Sequence, residues 1–180
     1  EEEFSSLDKL VGDGDMGHSF KRGAELVLEA LETDKNATRS FSDLLSTVAI
    51  AIRRMGGSSG VLLAIFFLRM SKAFEKKQSK SFMDIWTEAL KSGIDGISEL
   101  GGAKKGDRTM LDTLIPVHEF LLNSNLSQSE ELDPVVAEQL VLNANQASEA
   151  TRNMEGKKGR SGYLKSRVIG NIDPGAYAIA

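Results

Sequence analysis

Three aspartates near the start of the chain have the residue type and the spacing of a metal site. Asp8, Asp13 and Asp15 lie in the segment LDKLVGDGDMGHS, where the glycines allow the backbone to fold the carboxylates toward one point. Magnesium prefers such sites, with a few carboxylates, retained waters and phosphate oxygens completing an octahedron. Bound Mg²⁺ would reverse the local charge and let an acidic loop receive phosphate. The alternative from spacing alone is an acidic, solvated turn with helix-capping aspartates.

Three other motifs match this sequence only in part, because each lacks a residue or a neighbouring element that it requires. Residues 12–17 match the dinucleotide-binding pattern G-x-G-x-x-G, but no buried strand precedes them, and the aspartates would repel a pyrophosphate. A calcium loop starting at Asp13 would need an oxygen ligand in place of Gly17 and a glutamate in place of Ala24. Residues 101–106 have P-loop glycine spacing but continue with Asp-Arg-Thr.

The segment GGSSG, residues 56–60, has the form of an anion site. It opens an apolar helix, so backbone amides and the hydroxyls of Ser58 and Ser59 would lie at the positive end of the helix dipole. The alternative is a helix cap that follows a C-terminal glycine.

Two later segments carry further candidates. In GDRTMLD, Asp107 is predicted to cap a helix, with Arg108 and Thr109 in its first turn; Met110 also suits simple core packing. In GRSGY, Arg160 would either stabilise phosphoryl charge or solvate the end of a loop.

The elements that must position these residues are helices. Apolar residues recur at steps of three and four, and alternating strand patterns are almost absent. Ser81 is predicted to cap one helix, and Asp133 with Pro134 to begin another. The predicted helices cover residues 20–31, 41–55, 59–74, 82–100, 107–122 and 134–155; the predicted loops are 33–39, 76–80, 124–131 and 156–159. This pattern predicts an antiparallel all-α bundle whose glycine-rich clusters gather at its ends.

Composition excludes several classes of protein. The chain has 180 residues and a net charge of −4, which suits a single domain and argues against a nucleic-acid surface. The absence of cysteine excludes disulfides, a thiolate nucleophile and a cysteine zinc site. The longest apolar run, residues 61–68, is too short to span a bilayer and is followed by Arg69. We therefore expect no membrane partner. The abrupt ends suggest a chain trimmed on both sides.

Five motifs, in this order, resemble the L-type nucleotide-binding domain of the dihydroxyacetone kinases. They are LDKLVGDGDMGHS, GGSSG, GDRTMLDTL, ATRNMEGKKGRSGYL and DPGA. The resemblance extends from about Ser6 to Ala180. It implies an up-and-down helical barrel of about eight antiparallel helices, forming one L-type domain over residues 1–180 that holds ATP or ADP through two Mg²⁺ ions.

The resemblance also implies roles for individual residues. Asp8, Asp13 and Asp15 would bind the metal ions, and Arg160 would act in catalysis. Ser58 and Ser59 would bind phosphates. The residues that would contact the nucleotide are Met16, Gly17, His18, Ser19, Ser58, Ser59, Gly101, Thr109, Met110, Arg160, Asp173, Pro174 and Gly175.

The activity implied is that of an ATP-dependent glycerone (dihydroxyacetone) kinase, which transfers the γ-phosphoryl of ATP to dihydroxyacetone or glyceraldehyde. The triose would be held by a partner K domain or subunit, whose covalent substrate histidine has no counterpart here. No general base is evident in this chain, so it would need that partner for activity. A cytoplasmic location is expected. The alternatives are a regulatory relative that has lost turnover and an L-like domain with another acceptor, such as a fatty-acid kinase.

Two branches of the family use the nucleotide differently. In one branch ATP exchanges, and in the other tightly held ADP is rephosphorylated in place by a phosphotransferase protein. The turn GDGDMG resembles the ATP-using branch, because the other branch typically has GDADHG. The chain departs from the family pattern at GRSGYL, where Gly-Arg-Ala-Ser-Tyr is usual, and at Leu7, where many ATP-using relatives have Trp.

Overall fold

All six helices that the spacing of apolar residues predicts are present, and three short helices, at residues 2–9, 161–164 and 174–179, are not among those six. The computed structural model describes residues 2–76, 80–124 and 132–180. Its α-helices are α1 (Glu2–Lys9), α2 (Met16–Thr33), α3 (Phe41–Ile52), α4 (Gly57–Glu75), α5 (Phe82–Gly101), α6 (Leu111–Asn123), α7 (Pro134–Ala150), α8 (Ser161–Leu164) and α9 (Pro174–Ile179). Short 3₁₀ segments cover Arg53–Met55, Thr151–Asn153 and Lys165–Val168. No strand occurs in these ranges, so the predicted all-α class is confirmed.

Two predicted helix starts are confirmed by their hydrogen bonds. The Ser81 hydroxyl accepts from the Asp84 amide at 3.1 Å, and the Asp133 carboxylate accepts from the Val135 amide at 2.8 Å. Pro134 then occupies the first position of α7, where its missing N–H costs no hydrogen bond.

The predicted loop at 156–159 is confirmed as non-helical, and so is the predicted loop at 33–39 except for Thr33, which is the last residue of α2. In the other two predicted loops, residues 77–79 and 125–131 lie outside the described residues.

One predicted helix start is wrong. Asp107, Arg108 and Thr109 precede the helix rather than forming its cap and first turn, because α6 begins at Leu111. Arg108 has a φ of 61°, in the left-handed region that a right-handed helix cannot contain, so the helix begins only after it.

The described residues fall into two compact units. Unit 1 comprises residues 2–18, 102–124 and 132–180, and unit 2 comprises residues 19–76 and 80–101. The single L-type domain over residues 1–180 stays a prediction.

Unit 2 is built on α3, α4 and α5, with α4 packed against both of the others. The packing of α4 on α5 is close: a Cβ placed on Gly93 would lie 2.5 Å from the Phe66 ring. Four rings cluster where these helices meet, at centroid distances of 4.7 to 6.3 Å. They belong to Phe41, Phe74, Phe82 and Trp86.

Helix α4 alone, among the described residues, is long and apolar enough by length and composition to cross a membrane. A core helix of a soluble protein meets the same criterion. Its contacts with α3 and α5 give its apolar residues a packing role within unit 2.

Unit 1 is built on α6, α7 and α9, which pack against one another, and α1 contacts α9. The Thr113 hydroxyl of α6 donates to the Ala176 carbonyl of α9 at 3.1 Å. Tyr177 of α9 packs edge-on against Phe4 of α1, with ring centroids 5.5 Å apart, and its hydroxyl donates to Glu3. These contacts tie the helix that ends near Asp8 to the helix that follows Asp173.

Candidate metal centre and adjoining loops

The three aspartates predicted as metal ligands come together in unit 1. Asp8 lies in the last turn of α1 and is buried, whereas Asp13 and Asp15 are exposed in the loop before α2. One carboxylate oxygen from each lies within 4.8 Å of the others. The structure therefore brings together three side chains of the kind that bind a hard divalent cation.

The backbone between α1 and α2 turns sharply to produce this arrangement. The Gly12 and Val11 amides both donate to the Asp8 carbonyl, at 2.5 and 3.0 Å. Gly14 has a φ of 77°, a conformation in which an L side chain is strained. The Met16 amide, at the start of α2, donates to the Asp8 carboxylate at 3.3 Å. Asp8 is thus fixed at both ends of the turn, while the two exposed aspartates keep their oxygens available.

Arg160, the predicted catalytic residue, lies beside the exposed aspartates. Its guanidinium forms an ion pair with Asp13 and lies 3.8 Å from an Asp15 oxygen. All three side chains are more than half exposed to solvent. Ion pairs this exposed contribute about 0–1 kcal/mol to stability, so the fold does not depend on this one. The arrangement instead puts an exposed cation within reach of any phosphate that a metal ion would bring to the carboxylates.

The donor set fits a divalent cation. Oxygens bound to one Mg²⁺ at about 2.1 Å lie at most about 4.2 Å apart, close to the separation of the three carboxylates. A site of oxygens alone, two of them on exposed side chains, also leaves positions for water and phosphate. Asp8, Asp13 and Asp15 would hold the ion, which would supply charge neutralisation for bound phosphates.

A second arginine–aspartate pair, between Arg108 and Asp173, lies elsewhere in unit 1 and is buried. The Arg108 side chain has no exposed surface, and its Nη1 lies 3.4 Å from Asp173 Oδ1. Its Nη2 donates to the Asn171 carbonyl at 2.8 Å. The other Asp173 oxygen accepts from the Ala176 amide at 2.9 Å and so caps α9, and the Asp173 amide donates to the Thr151 hydroxyl. Among the residues that the structure describes, Arg108 Nε has no hydrogen-bond partner.

Burial dominates the electrostatics of this pair. It raises the pKa of Asp173 to about 6, although the Ala176 amide and the Arg108 charge both favour the carboxylate. It also lowers the pKa of Arg108 from its ordinary value, against the attraction of Asp173. The pair is therefore held by its surroundings at an electrostatic cost.

Two other carboxylates shape the loop that carries Arg108. Asp112 accepts from the Gly106 and Thr109 amides, at 2.5 and 2.8 Å, and Asp107 accepts from the Lys104 amide at 3.0 Å. Both side chains are buried. The loop is thus folded by hydrogen bonds from within, and its conformation places Thr109 and Met110 directly before α6.

The remaining predicted residues fall into three groups. Met16, Gly17 and His18 form the first turn of α2, with His18 exposed. Met110 lies close to Gly175, which follows Asp173 and Pro174 at the start of α9, and Thr109 precedes Met110 in the chain. Ser19, Ser58, Ser59 and Gly101 belong to unit 2. That each contacts a nucleotide stays a prediction.

The start of α4 has the backbone expected at a helix that could receive an anion. Gly56 precedes it with a φ of 84°, and Ser58 and Ser59 lie in its first turn. The Arg22 guanidinium donates to the Met55 carbonyl just before this turn.

Sequence reasoning missed the structural roles of Arg108 and Asp112. Asp112 has a local signal: it follows Gly106 by six positions, and the backbone amides of the loop between them need hydrogen-bond acceptors. Arg108 gives no local signal, because its partner Asp173 is 65 residues away.

Comparison with known proteins gives a consistent result. The DAK2 domain family model matches residues 10–180. The "PEP-dependent dihydroxyacetone kinase, ADP-binding subunit DhaL" of Escherichia coli is 34% identical over 178 residues, covering 99% of this chain and 83% of the subunit. The "Triokinase/FMN cyclase" of Mus musculus is 35% identical over 181 residues, covering 100% of this chain but only 30% of that protein.

A solved structure has the same fold. The dihydroxyacetone kinase from C. freundii in complex with AMP-PNP and Mg²⁺ superposes with a TM-score of 0.72 at 30% identity. The match covers 98% of this chain and 28% of that one. The chain thus spans less than a third of the length of the triokinase and of the solved kinase. From the family match over nearly its whole length and its identity to the DhaL subunit, the chain belongs to the DAK2 domain family.

Proposed function

We propose that this chain binds a magnesium nucleotide and is the nucleotide-binding half of a kinase that phosphorylates a hydroxyl group of a triose such as dihydroxyacetone. The observation that carries the proposal is the convergence of Asp8, Asp13 and Asp15 beside Arg160. Its support comes from relatives described as an ADP-binding subunit of a dihydroxyacetone kinase and as a kinase in complex with AMP-PNP and Mg²⁺.

The roles of the residues follow from their chemistry. The aspartates would hold two Mg²⁺ ions, which supply charge neutralisation and orient the phosphates. Arg160 is the catalytic residue of the proposal: it leaves the exposed carboxylates and stabilises the charge that develops on the transferred phosphoryl group. Ser58 and Ser59 bind phosphate oxygens at the start of α4. Thr109, Met110 and the 173–175 turn contact the nucleoside.

The chain acts with a partner. A K domain or subunit, fused or separate, would hold the triose, and the complete kinase would be cytoplasmic. Purified chain mixed with such a K subunit is expected to phosphorylate dihydroxyacetone in the presence of Mg·ATP, and the chain alone is not. Enzyme-like turnover by the chain alone would contradict the division of labour.

Calorimetry tests the binding step directly. The chain is expected to bind ADP in the presence of Mg²⁺, and chelation of the metal should remove that binding because the carboxylates would then repel the phosphates. Binding that is unaffected by the chelator would contradict the metal-dependent site.

ATP is proposed as an exchangeable substrate. The support is the GDGDMG turn, which resembles the ATP-using branch of the family more than the GDADHG turn of the other branch. The alternative is the phosphotransferase-dependent branch, favoured by the identity to the ADP-binding DhaL subunit. Extensive dialysis separates the two: the proposal expects nucleotide-free protein, whereas stoichiometric ADP that does not exchange with labelled ATP would place the chain in the second branch.

A further inference from the structure

The loop before α6 and the first turn of α9 are in direct contact. A Cβ placed on Gly175 would lie 3.4 Å from the Met110 amide nitrogen and 3.0 Å from an Asp173 oxygen. Thr113, one turn into α6, also donates to the Ala176 carbonyl. Two segments that are far apart in the sequence therefore form one surface, and both contain residues proposed to contact the nucleoside.

Arg108 is the side chain that joins these segments by charge. It starts from the loop, immediately before Thr109, and reaches both Asp173 and the Asn171 carbonyl on the other side. Its guanidinium contacts two acceptors in different directions, which the single ammonium of a lysine cannot reproduce with the same geometry.

The free-energy cost of burying Arg108 in this conformation indicates a role other than stabilising the fold. Arg108 is a fully buried charge, it leaves Nε unpaired among the described residues, and it holds its own backbone at a φ of 61°. A non-glycine residue in that region and a buried charge are both unfavourable, and such features persist where the surroundings require one geometry. Well-packed apolar residues would often serve stability alone equally well.

We infer that Arg108 is a positioning residue for the nucleoside end of the bound nucleotide, because it fixes the Thr109–Met110 segment against the Asp173–Gly175 turn. The inference rests on the proposed function and goes beyond it by separating two halves of nucleotide recognition. The metal-bound phosphates depend on the acidic loop and Arg160, whereas the nucleoside depends on a surface that Arg108 holds together.

The test compares a nucleotide with its phosphate part alone. Dissociation constants of Mg·ADP and Mg·pyrophosphate are measured by calorimetry for the wild-type chain, Arg108→Lys and Arg108→Gln, with circular dichroism as the check on folding. Each variant is expected to weaken Mg·ADP about tenfold and Mg·pyrophosphate less than twofold, because only ADP contacts the nucleoside surface. A merely structural role would weaken both ligands equally.

Arg152→Lys is the matched control. Arg152 is another arginine of unit 1 that pairs with an acid, Glu149, and donates to a backbone carbonyl, that of Gly170, but it is exposed. Its substitution should leave the ratio of the two constants unchanged.

The outcomes separate the two proposals. A ratio that stays constant in both Arg108 variants, or failure of both variants to fold, overturns the positioning role while leaving the binding site in place. A wild-type chain that binds neither ligand overturns the proposed function, and the inference with it.

Discussion

Unit 1 contains two arginine–aspartate pairs whose chemistry is the same and whose surroundings are opposite. Arg160 with Asp13 and Asp15 is more than half exposed, so water solvates all three side chains. Arg108 with Asp173 is buried, and hydrogen bonds from Ala176 and to Asn171 fix both partners. The exposed pair can separate at little cost, which suits a group that must exchange a carboxylate for a phosphate. The buried pair cannot, which suits a group that keeps two segments in one geometry.

The contribution of an ion pair in this chain is therefore best measured by the change in stability when one partner is removed. Removing one partner of a buried pair leaves a charge without compensation, whereas water replaces the missing partner of an exposed pair. Substitutions at either pair, and a change of pH, can therefore break the contrast.

Arg108→Ala should lower the free energy of unfolding by about 3–5 kcal/mol, because it leaves Asp173 buried without its cation and removes a large buried side chain. Urea denaturation followed by circular dichroism measures this. A loss below about 1 kcal/mol would show that the buried pair behaves like a surface pair.

Asp13→Ala and Asp15→Ala should each weaken the binding of Mg·ADP on the order of 100-fold, since each removes a proposed metal ligand while the exposed position leaves the fold intact. Calorimetry measures the affinity. Asp95→Ala, which removes an exposed carboxylate of α5 paired with Lys91, is the matched control and should change nothing. Undiminished binding in both loop variants would refute the metal assignment.

The stability of the chain should depend on pH through Asp173. Its folded-state pKa of about 6 lies above its ordinary value of 3.8, so the folded chain binds this proton more readily than the unfolded chain. The stabilisation is therefore lost as pH rises through 6 and grows as pH falls toward 3.8. The wild type should gain about 1 kcal/mol relative to Asp173→Asn between pH 7 and pH 5.

Urea denaturation of both proteins at pH 7 and pH 5 measures this gain. A difference between wild type and Asp173→Asn that stays flat over this range would mean that burial does not control the titration of this carboxyl group.

Arg160→Gln should change the free energy of unfolding by less than about 1 kcal/mol, and high salt should reduce the change further because exposed charges are screened. Urea curves at low and high ionic strength measure both quantities. A loss as large as that of Arg108→Ala would remove the contrast between the two pairs.

The sequence predicted features whose signals are local. Six of the nine described helices followed from apolar spacing, the caps at Ser81 and Asp133 followed from residue type, and the convergence of Asp8, Asp13 and Asp15 followed from glycines within one short turn. In each case the interacting groups are at most a few residues apart. Both the residues that interact and the local structure that they form can then be recognised in one stretch of sequence.

Features that depend on distant contacts were missed. The start of α6 was placed too early, because nothing near Arg108 shows that its backbone adopts a positive φ. That conformation belongs to a network whose other members, Asn171 and Asp173, are more than sixty residues away. Helix propensity and capping patterns describe only neighbours, so tertiary structure overrode them here.

The aromatic cluster of unit 2 makes fluorescence selective. The chain has one tryptophan, Trp86, and it lies among Phe41, Phe74 and Phe82 in unit 2, whereas both tyrosines, Tyr163 and Tyr177, are in unit 1. Tryptophan emission during denaturation therefore reports on the unfolding of unit 2 without an added fluorescent probe. Superimposing that emission curve on a circular dichroism curve, which averages over every helix, tells at once whether the molecule melts in one cooperative transition or in two.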